Sequence, residues 1–426
     1  MFRLTPIALI FAASLAHAGD WPQILGPKRD GVAASDEKIV ATFPEQGPKL
    51  LWSRSVGSGF AGVAIKGETG ILFHRVEDSE RVEAFDVKSG EPKWKDDAAT
   101  TFTGGISEDD GPRCVPVIDS DVHGKSTRVY TFGAQGLLRC NDFATGKLLW
   151  SNATHEEFGA EEGYFGAGST PIVIGDVLMA NVGGHRQDAG IVGFDKMTGK
   201  VLWTSTEERA SYSSPIAAPV EGRTRAIFAT RLKCLAIERS NGKLLWEFPF
   251  GARGPTVTGA SPVYMPEATD AGKFFFTASY GVGSAIVAVG PPRDEAEFMR
   301  RQRSRLLATQ YATPVRLNEH LFAIDGRDDL GPTSLKCFKL DGSKSKWVQD
   351  DFGYGTLMRI GETMLAQTTN GELILFAADA AAYRELARAE LFDPDTDPVV
   401  RALPAYANGR YFVRDSTELK VFQLGQ

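Results

Sequence analysis

The sequence predicts an all-β chain folded as an eight-bladed β-propeller of four-stranded blades, closed into a ring by its N- and C-terminal strands. Three observations predict it: a phrase that recurs along the chain, two strand families that keep the same beat, and one copy of the phrase split between the chain ends.

Four copies of the phrase are complete. Ala84, Asp86, Gly90 and Trp94 make the first, and Cys140, Asp142, Gly146 and Trp150 the second. Gly193, Asp195, Gly199 and Trp203, then Ala236, Glu238, Gly242 and Trp246, make the third and fourth. Each reads small residue, acid two on, glycine six on, tryptophan ten on. The apolar alternation before the acid specifies a strand. Acid-x-x-Ser/Thr/Asn-Gly specifies a tight turn in which glycine takes positive φ at little cost. The apolar run ending in tryptophan specifies the next strand, and a tryptophan at each equivalent place can wedge between neighbouring sheets. A fifth copy is eroded to Cys337, Lys339 and Trp347, and two more keep only the strand, at 287–289 and 373–376. Six of the seven tryptophans (Trp52, Trp94, Trp150, Trp203, Trp246 and Trp347) occupy this one repeat position.

The eighth copy is divided. The C-terminus supplies the strand Leu419 to Leu424 and stops; the N-terminus supplies Leu50-Leu51-Trp52 with no phrase before it. Joined, they make one repeat, as ring closure requires, and closure removes free sheet edges. The second strand family starts at a proline: Pro116, Pro171, Pro215, Pro262, Pro314 and, more weakly, Pro404. The third runs through 71–73, 129–131, 177–179, 226–228, 274–276, 321–323, 364–366 and 411–413. Segments 294–306 and 379–391 read as helical or irregular insertions where degenerate turns belong.

The ends and the composition bound the setting. Arg3, an apolar run from Leu4 to Leu15 and Ala16-His17-Ala18 read as a secretory signal peptide cut after Ala18. The expectation is therefore a periplasmic or secreted protein, with 1–18 as signal, 19–44 as an N-terminal extension and 45–426 as one propeller domain. No cysteine follows the cut, so a lipid anchor there is not expected, and no stretch approaches the roughly 20 apolar residues of a membrane span. A net charge of −7 argues against charge-driven nucleic-acid binding. The expected state is a monomer. The four cysteines, Cys114, Cys140, Cys234 and Cys337, read as small buried hydrophobes, with a Cys114–Cys140 bridge as the alternative.

The repeated phrase resembles the tryptophan-docking motif of the pyrroloquinoline-quinone (PQQ)-like propellers, which include quinoprotein alcohol dehydrogenases and BamB-type outer-membrane assembly proteins. The resemblance covers residues 45–426. The opening Asp20-Trp21-Pro22-Gln23 and Gly26-Pro27-x-x-Asp30-Gly31 are similar to the start of exported bacterial members. An active quinoprotein implies adjacent cysteines over the quinone, a tryptophan floor, a calcium held by Glu, Asn and Asp, and an Asp base. This sequence departs from that pattern: its nearest cysteines are 26 residues apart and every tryptophan from Trp52 on is at a docking place. The acidic runs at 108–110, 328–329 and 393–397 lack EF-hand spacing. No site for PQQ or calcium is therefore assigned, and no catalytic residue.

Ligand sites on propellers gather where loops of one face converge on the central funnel. Three residues before each strand-opening proline stand Arg113, Gly168, Tyr212, Gly259, Tyr311 and Arg401. Nearby loops add Asp110, Tyr164, Phe165, His185 and Tyr280, with Arg327 and Asp328. Aromatic faces and arginine forks suit a small polar ligand, a sugar or a peptide segment. The plainer reading has the arginines pairing with nearby acids to fix loops and the tyrosines packing. The leading functional expectation is a non-catalytic binding or scaffold module for an unidentified protein or small polar ligand. The alternatives are a PQQ- and calcium-dependent oxidoreductase with a diverged site, and a BamB-like assembly factor.

Overall fold

In the computed structural model eight four-stranded antiparallel sheets follow one another around a ring. It describes residues 19–425 except 122–125, 221, 255, 257, 267–271, 290–298, 305 and 341–343, with backbone alone for 299–304. Blades one to seven span 64–99, 117–153, 172–205, 216–249, 263–304, 315–350 and 355–390. Blade eight takes its three inner strands from 405–423 and its outer strand, Lys49–Ser55, from the other end of the chain. Lys49–Ser55 pairs antiparallel with Glu418–Gln423, Trp52 opposite Val421 and Ser53 opposite Lys420. The divided repeat thus closes the ring. The expected signal peptide lies outside the described residues, and among those described no helix is long and apolar enough to cross a membrane.

The four elements of the phrase each have a packing reason. The small residue pairs directly with the tryptophan of its own blade: Ala84 with Trp94, Cys140 with Trp150, Gly193 with Trp203, Ala236 with Trp246. A Cβ on Gly193 would lie 2.2 Å from the Trp203 ring. The acid caps the turn: Asp195 Oδ1 accepts from the Met197 and Thr198 amides and from the Thr198 hydroxyl at 2.8–3.1 Å. That hydroxyl bond holds the Asp195 carboxyl below its usual range, as Thr145 does for Asp142. The glycine turns the chain at φ near 72–77° and receives the tryptophan of the preceding blade. A Cβ on Gly90, Gly146, Gly199 or Gly242 would meet Trp52, Trp94, Trp150 or Trp203 at 2.5–2.8 Å. The indole N–H then donates across the seam to a turn carbonyl: Trp52 to Val87, Trp94 to Phe143, Trp150 to Lys196, Trp203 to Arg239.

Two sequence expectations need correction. Segment 379–391 is not helical: Glu385–Glu390 is the outer strand of blade seven, and the Asp379 carbonyl accepts from the Trp347 indole at 3.0 Å. In 294–306 the described part, Met299–Ser304, is likewise an outer strand, paired with 284–289. A sheet edge supplies the missing strand signal in both places. All four cysteines are buried, and the Cys114–Cys140 bridge is not formed; the Cys114 thiol faces the Ala167 carbonyl instead.

The residue before each strand-opening proline has a use that its sequence did not announce. Thr170 Oγ1 accepts from the Val115 amide, Ser214 Oγ from the Thr170 amide and Thr313 Oγ1 from the Ser261 amide, at 2.9–3.0 Å. These bonds stitch the entries of blades two to three, three to four and five to six, so proline, which cannot donate, stands one place beyond the stitched amide.

Candidate functional site

The extension, 19–44, runs across the blade ends and inserts into the channel. Asp20 accepts from the Gly67 amide, Trp21 exchanges backbone hydrogen bonds with Ile65, and Glu37 accepts from the Asn408 and Gly409 amides. Its tip carries Arg29, buried at the entries to blades three and four. The guanidinium donates to the carbonyls of Thr170, Pro171 and Pro215 in blades three and four, and to Gln23 Oε1. Burial depresses its pKa to about 9, which leaves it charged at neutral pH. Ile24 and Leu25 pack on Val115 and Leu403 above it. The channel is therefore a cup with a floor, not a pore.

Above that floor lies a cavity of about 490 Å³. It gathers Arg113, Tyr164, Phe165, Tyr212, Tyr280, Tyr311 and Arg401 from loops of blades one to eight, with Gly168 and Gly259 between them. The glycines give the rings room: a Cβ on Gly168 would lie 2.5 Å from Tyr212, and one on Gly259 2.6 Å from Tyr311. The wall also contains Phe60, Gln310, Arg327, Asp328 and Asp329. Phe60 lies between two cations, the Arg113 and Arg401 guanidiniums standing 5.5 and 5.6 Å from its ring centre.

Most polar groups of the wall are already satisfied. Arg113 donates to the Gly111 and Asp109 carbonyls, and burial lowers its pKa. Arg401 binds Asp328 at 2.7 Å, and Arg327 forks onto Asp329 at 2.8 and 2.6 Å while stacking on Tyr280. The Tyr212 hydroxyl accepts from the Tyr164 and Phe165 amides, each at 3.0 Å, and thereby shapes the rim. Burial raises its pKa, so it stays protonated at neutral pH. The arginines and this tyrosine do fix loops. The Tyr311 hydroxyl is buried beside the Asp328–Arg401 pair, and burial raises its pKa, so it too stays protonated at neutral pH.

Two expected residues lie elsewhere. Asp110 accepts from Ser58 Oγ at 2.6 Å and pairs with Arg75, pinning a loop base rather than lining the cavity. His185 is exposed and rests against Gly159, outside both cavities described here. Sequence reasoning missed Phe60, Ile24 and Gln310. Phe60 precedes the glycine-rich opening of blade one, which has no proline to mark it; Ile24 belongs to an extension with no repeat.

A second cavity, about 810 Å³, adjoins the cup and shares Tyr164, Gly168 and Tyr212 with it. His155 lies in its wall, buried against Phe132, and burial depresses its pKa to about 4. The unfolded chain, with histidine near 6.5, therefore binds more protons than the folded one between pH 6.5 and 4. The stability His155 contributes is complete above pH 6.5 and falls through that window, by up to ~3 kcal/mol at about 1.4 kcal/mol per pH unit. Denaturant titrations of wild type and His155→Phe should diverge in slope between pH 6.5 and 4, the variant being the flatter; parallel profiles would refute this.

The comparisons agree with the geometry. Residues 78–288 match a family model described as outer membrane protein assembly factor BamB. Among solved structures, a europium-containing methanol dehydrogenase superposes with TM-score 0.66 at 12% identity, covering 95% of this chain and 98% of that one. BamB from Moraxella catarrhalis gives 0.57 at 16%, covering 88% and 100%. A quinohemoprotein alcohol dehydrogenase from Comamonas testosteroni gives 0.52 at 14%, covering 97% and 82%. The curated proteins give no match. Over residues 78–288 the chain is thus similar to the BamB family, and it shares the β-propeller fold with these structures.

The residues do not fit the quinone and calcium that the sequence resemblance implies. Among the described residues no three His, Cys, Asp or Glu side chains converge as a metal site needs. The cup's own carboxylates are held by arginines, and no two cysteines are adjacent. The floor is Ile24, Val115 and Leu403, and the docking tryptophans stand at the blade seams.

Proposed function

We propose that this chain is an exported, non-catalytic binding module whose cup holds a small, hydroxyl-rich ligand, best matched by a sugar ring. The observation that carries the reading is the floored cavity walled by aromatic faces, Phe60, Tyr164, Phe165, Tyr212, Tyr280 and Tyr311. Aromatic faces suit the C–H faces of a pyranose, and the paired arginines and Gln310 offer a wall of oriented polar atoms without net demand for a charged ligand. Among the described residues the wall holds no histidine or cysteine, and Asp328 and Asp329 are each engaged by an arginine. Export rests on the N-terminal sequence pattern. The assembly-factor reading rests on the fold likeness and the family match, with no surface that singles out a protein partner.

Calorimetric titration of the full chain with a panel of mono- and oligosaccharides tests this. At least one saccharide is expected to bind saturably. Phe60→Leu should weaken it about 3- to 10-fold, as loss of one aromatic contact worth roughly 0.5–1.5 kcal/mol would. A panel with no saturable binder, or equal binding by wild type and Phe60→Leu, would end the proposal.

A further inference from the structure

We infer that the cup and the second cavity form one cleft that binds an acidic oligosaccharide, with a sugar ring in the cup and a uronate carboxylate over Arg253 and Arg231. The inference rests on the cup reading above and extends it to a ligand class. Both cavities are built by loops of the same propeller face, and Tyr164 and Tyr212 stand in the walls of both. Together they exceed the roughly 300–1,000 Å³ of a site built for one small molecule.

The two ends differ in how their cations are matched. In the cup Arg327 and Arg401 each hold an aspartate. In the second cavity Arg209 is paired with Glu161 at 2.9 Å, and Glu162 accepts from Gln135. That leaves two guanidiniums without a carboxylate among the described residues. Arg231 is fixed by the carbonyls of Ala252 and Gly254 and by Thr256 Oγ1. Arg253, exposed two residues from Ala252's neighbour Gly251, has no hydrogen bond or ion pair among those residues. One arginine is held rigidly and the other is free to close on an anion, in a chain whose net charge is −7. The cavity contains no lysine, and the planar guanidinium fork matches a planar carboxylate in two parallel hydrogen bonds. Gly254, where an added Cβ would meet nothing within 4 Å, leaves the rim beside Arg253 without a side chain.

Calorimetry with galacturonic acid, tetragalacturonate, an uncharged galactose tetramer and a tetraglutamate peptide tests this on the full chain. Tetragalacturonate should bind at least 10-fold tighter than galacturonic acid and than the uncharged tetramer. Arg253→Ala should cost about 10-fold for tetragalacturonate and leave galacturonic acid unchanged, whereas Phe60→Leu should weaken both. Equal affinity for the monomer and tetramer, or an Arg253→Ala variant as tight as wild type, would overturn the extended cleft while a surviving Phe60→Leu effect keeps the cup. Preference for the peptide would overturn the saccharide assignment.

Discussion

Removing residues 418–426 will abolish the native ring. The strand Glu418–Gln423 is hydrogen-bonded on both sides, to Arg410–Arg414 and to Lys49–Ser55. Its deletion strands the outer strand of blade eight and uncovers both flanking edges. Leu419, Val421 and Phe422 are each at most 6% exposed. Burial of such side chains stabilises by about 1.5–3 kcal/mol apiece, so their loss alone costs ~5–9 kcal/mol, comparable with the roughly 5–15 kcal/mol net stability of a folded domain. The lost docking is additional: Trp52 packs edge-on against Phe412 and Phe85 across the closure seam. The truncated chain should show no cooperative thermal transition and should bind a hydrophobic dye. A transition within a few degrees of wild type would mean that the ring holds without this strand.

Arg29→Ala will be the most costly single substitution in the extension. The side chain is buried, and it satisfies three carbonyls that face the channel where water is excluded. An unsatisfied buried carbonyl costs about 1–3 kcal/mol, and removing one partner of a buried charge interaction costs about 3–5 kcal/mol. Loss of the unfavourable burial of the cation offsets part of this, so a net destabilisation of ~3 kcal/mol is expected by urea unfolding. The same change should raise amide exchange at 20–33 and at Arg359, which donates to the Gly31 carbonyl, and leave exchange in blade five as it was. Unchanged stability and exchange would show that the extension does not depend on its arginine for docking.

The ring was readable from sequence because its devices are local and repeated. A small residue, an acid, a glycine and a tryptophan at fixed spacing each answer one steric or hydrogen-bonding need, and the need recurs at each seam. The division of the eighth repeat was visible for the same reason. Where the phrase eroded, strand signal eroded with it: Glu385–Glu390 is charged and half exposed because it is an outer edge, and so it resembles an insertion. The site was only partly readable. Position relative to the strand-opening proline found Arg113, Tyr212, Tyr311 and Arg401, since that offset fixes a place at the funnel. Loop composition could not separate Tyr280, which reaches the wall, from His185, which does not, because loop paths depend on contacts such as Arg186 with the Phe158 and Glu156 carbonyls. Arg29 left no signal. Its role comes from backbone carbonyls more than 140 residues away in sequence, and carbonyls are the same in every sequence.

The most direct test of the account is a crosslink between the chain ends. Ser53 and Lys420 face each other on adjacent antiparallel strands, where Cα atoms lie about 4.5–5.5 Å apart, within reach of a disulfide. Ser53→Cys/Lys420→Cys should oxidise quantitatively in the native state, run as a compact species on a non-reducing gel, and unfold at higher denaturant because nearly the whole chain becomes a closed loop. Thiols at 53 and 420 that stay free in the folded protein under oxidising conditions would contradict ring closure, and with it the placement of the cup.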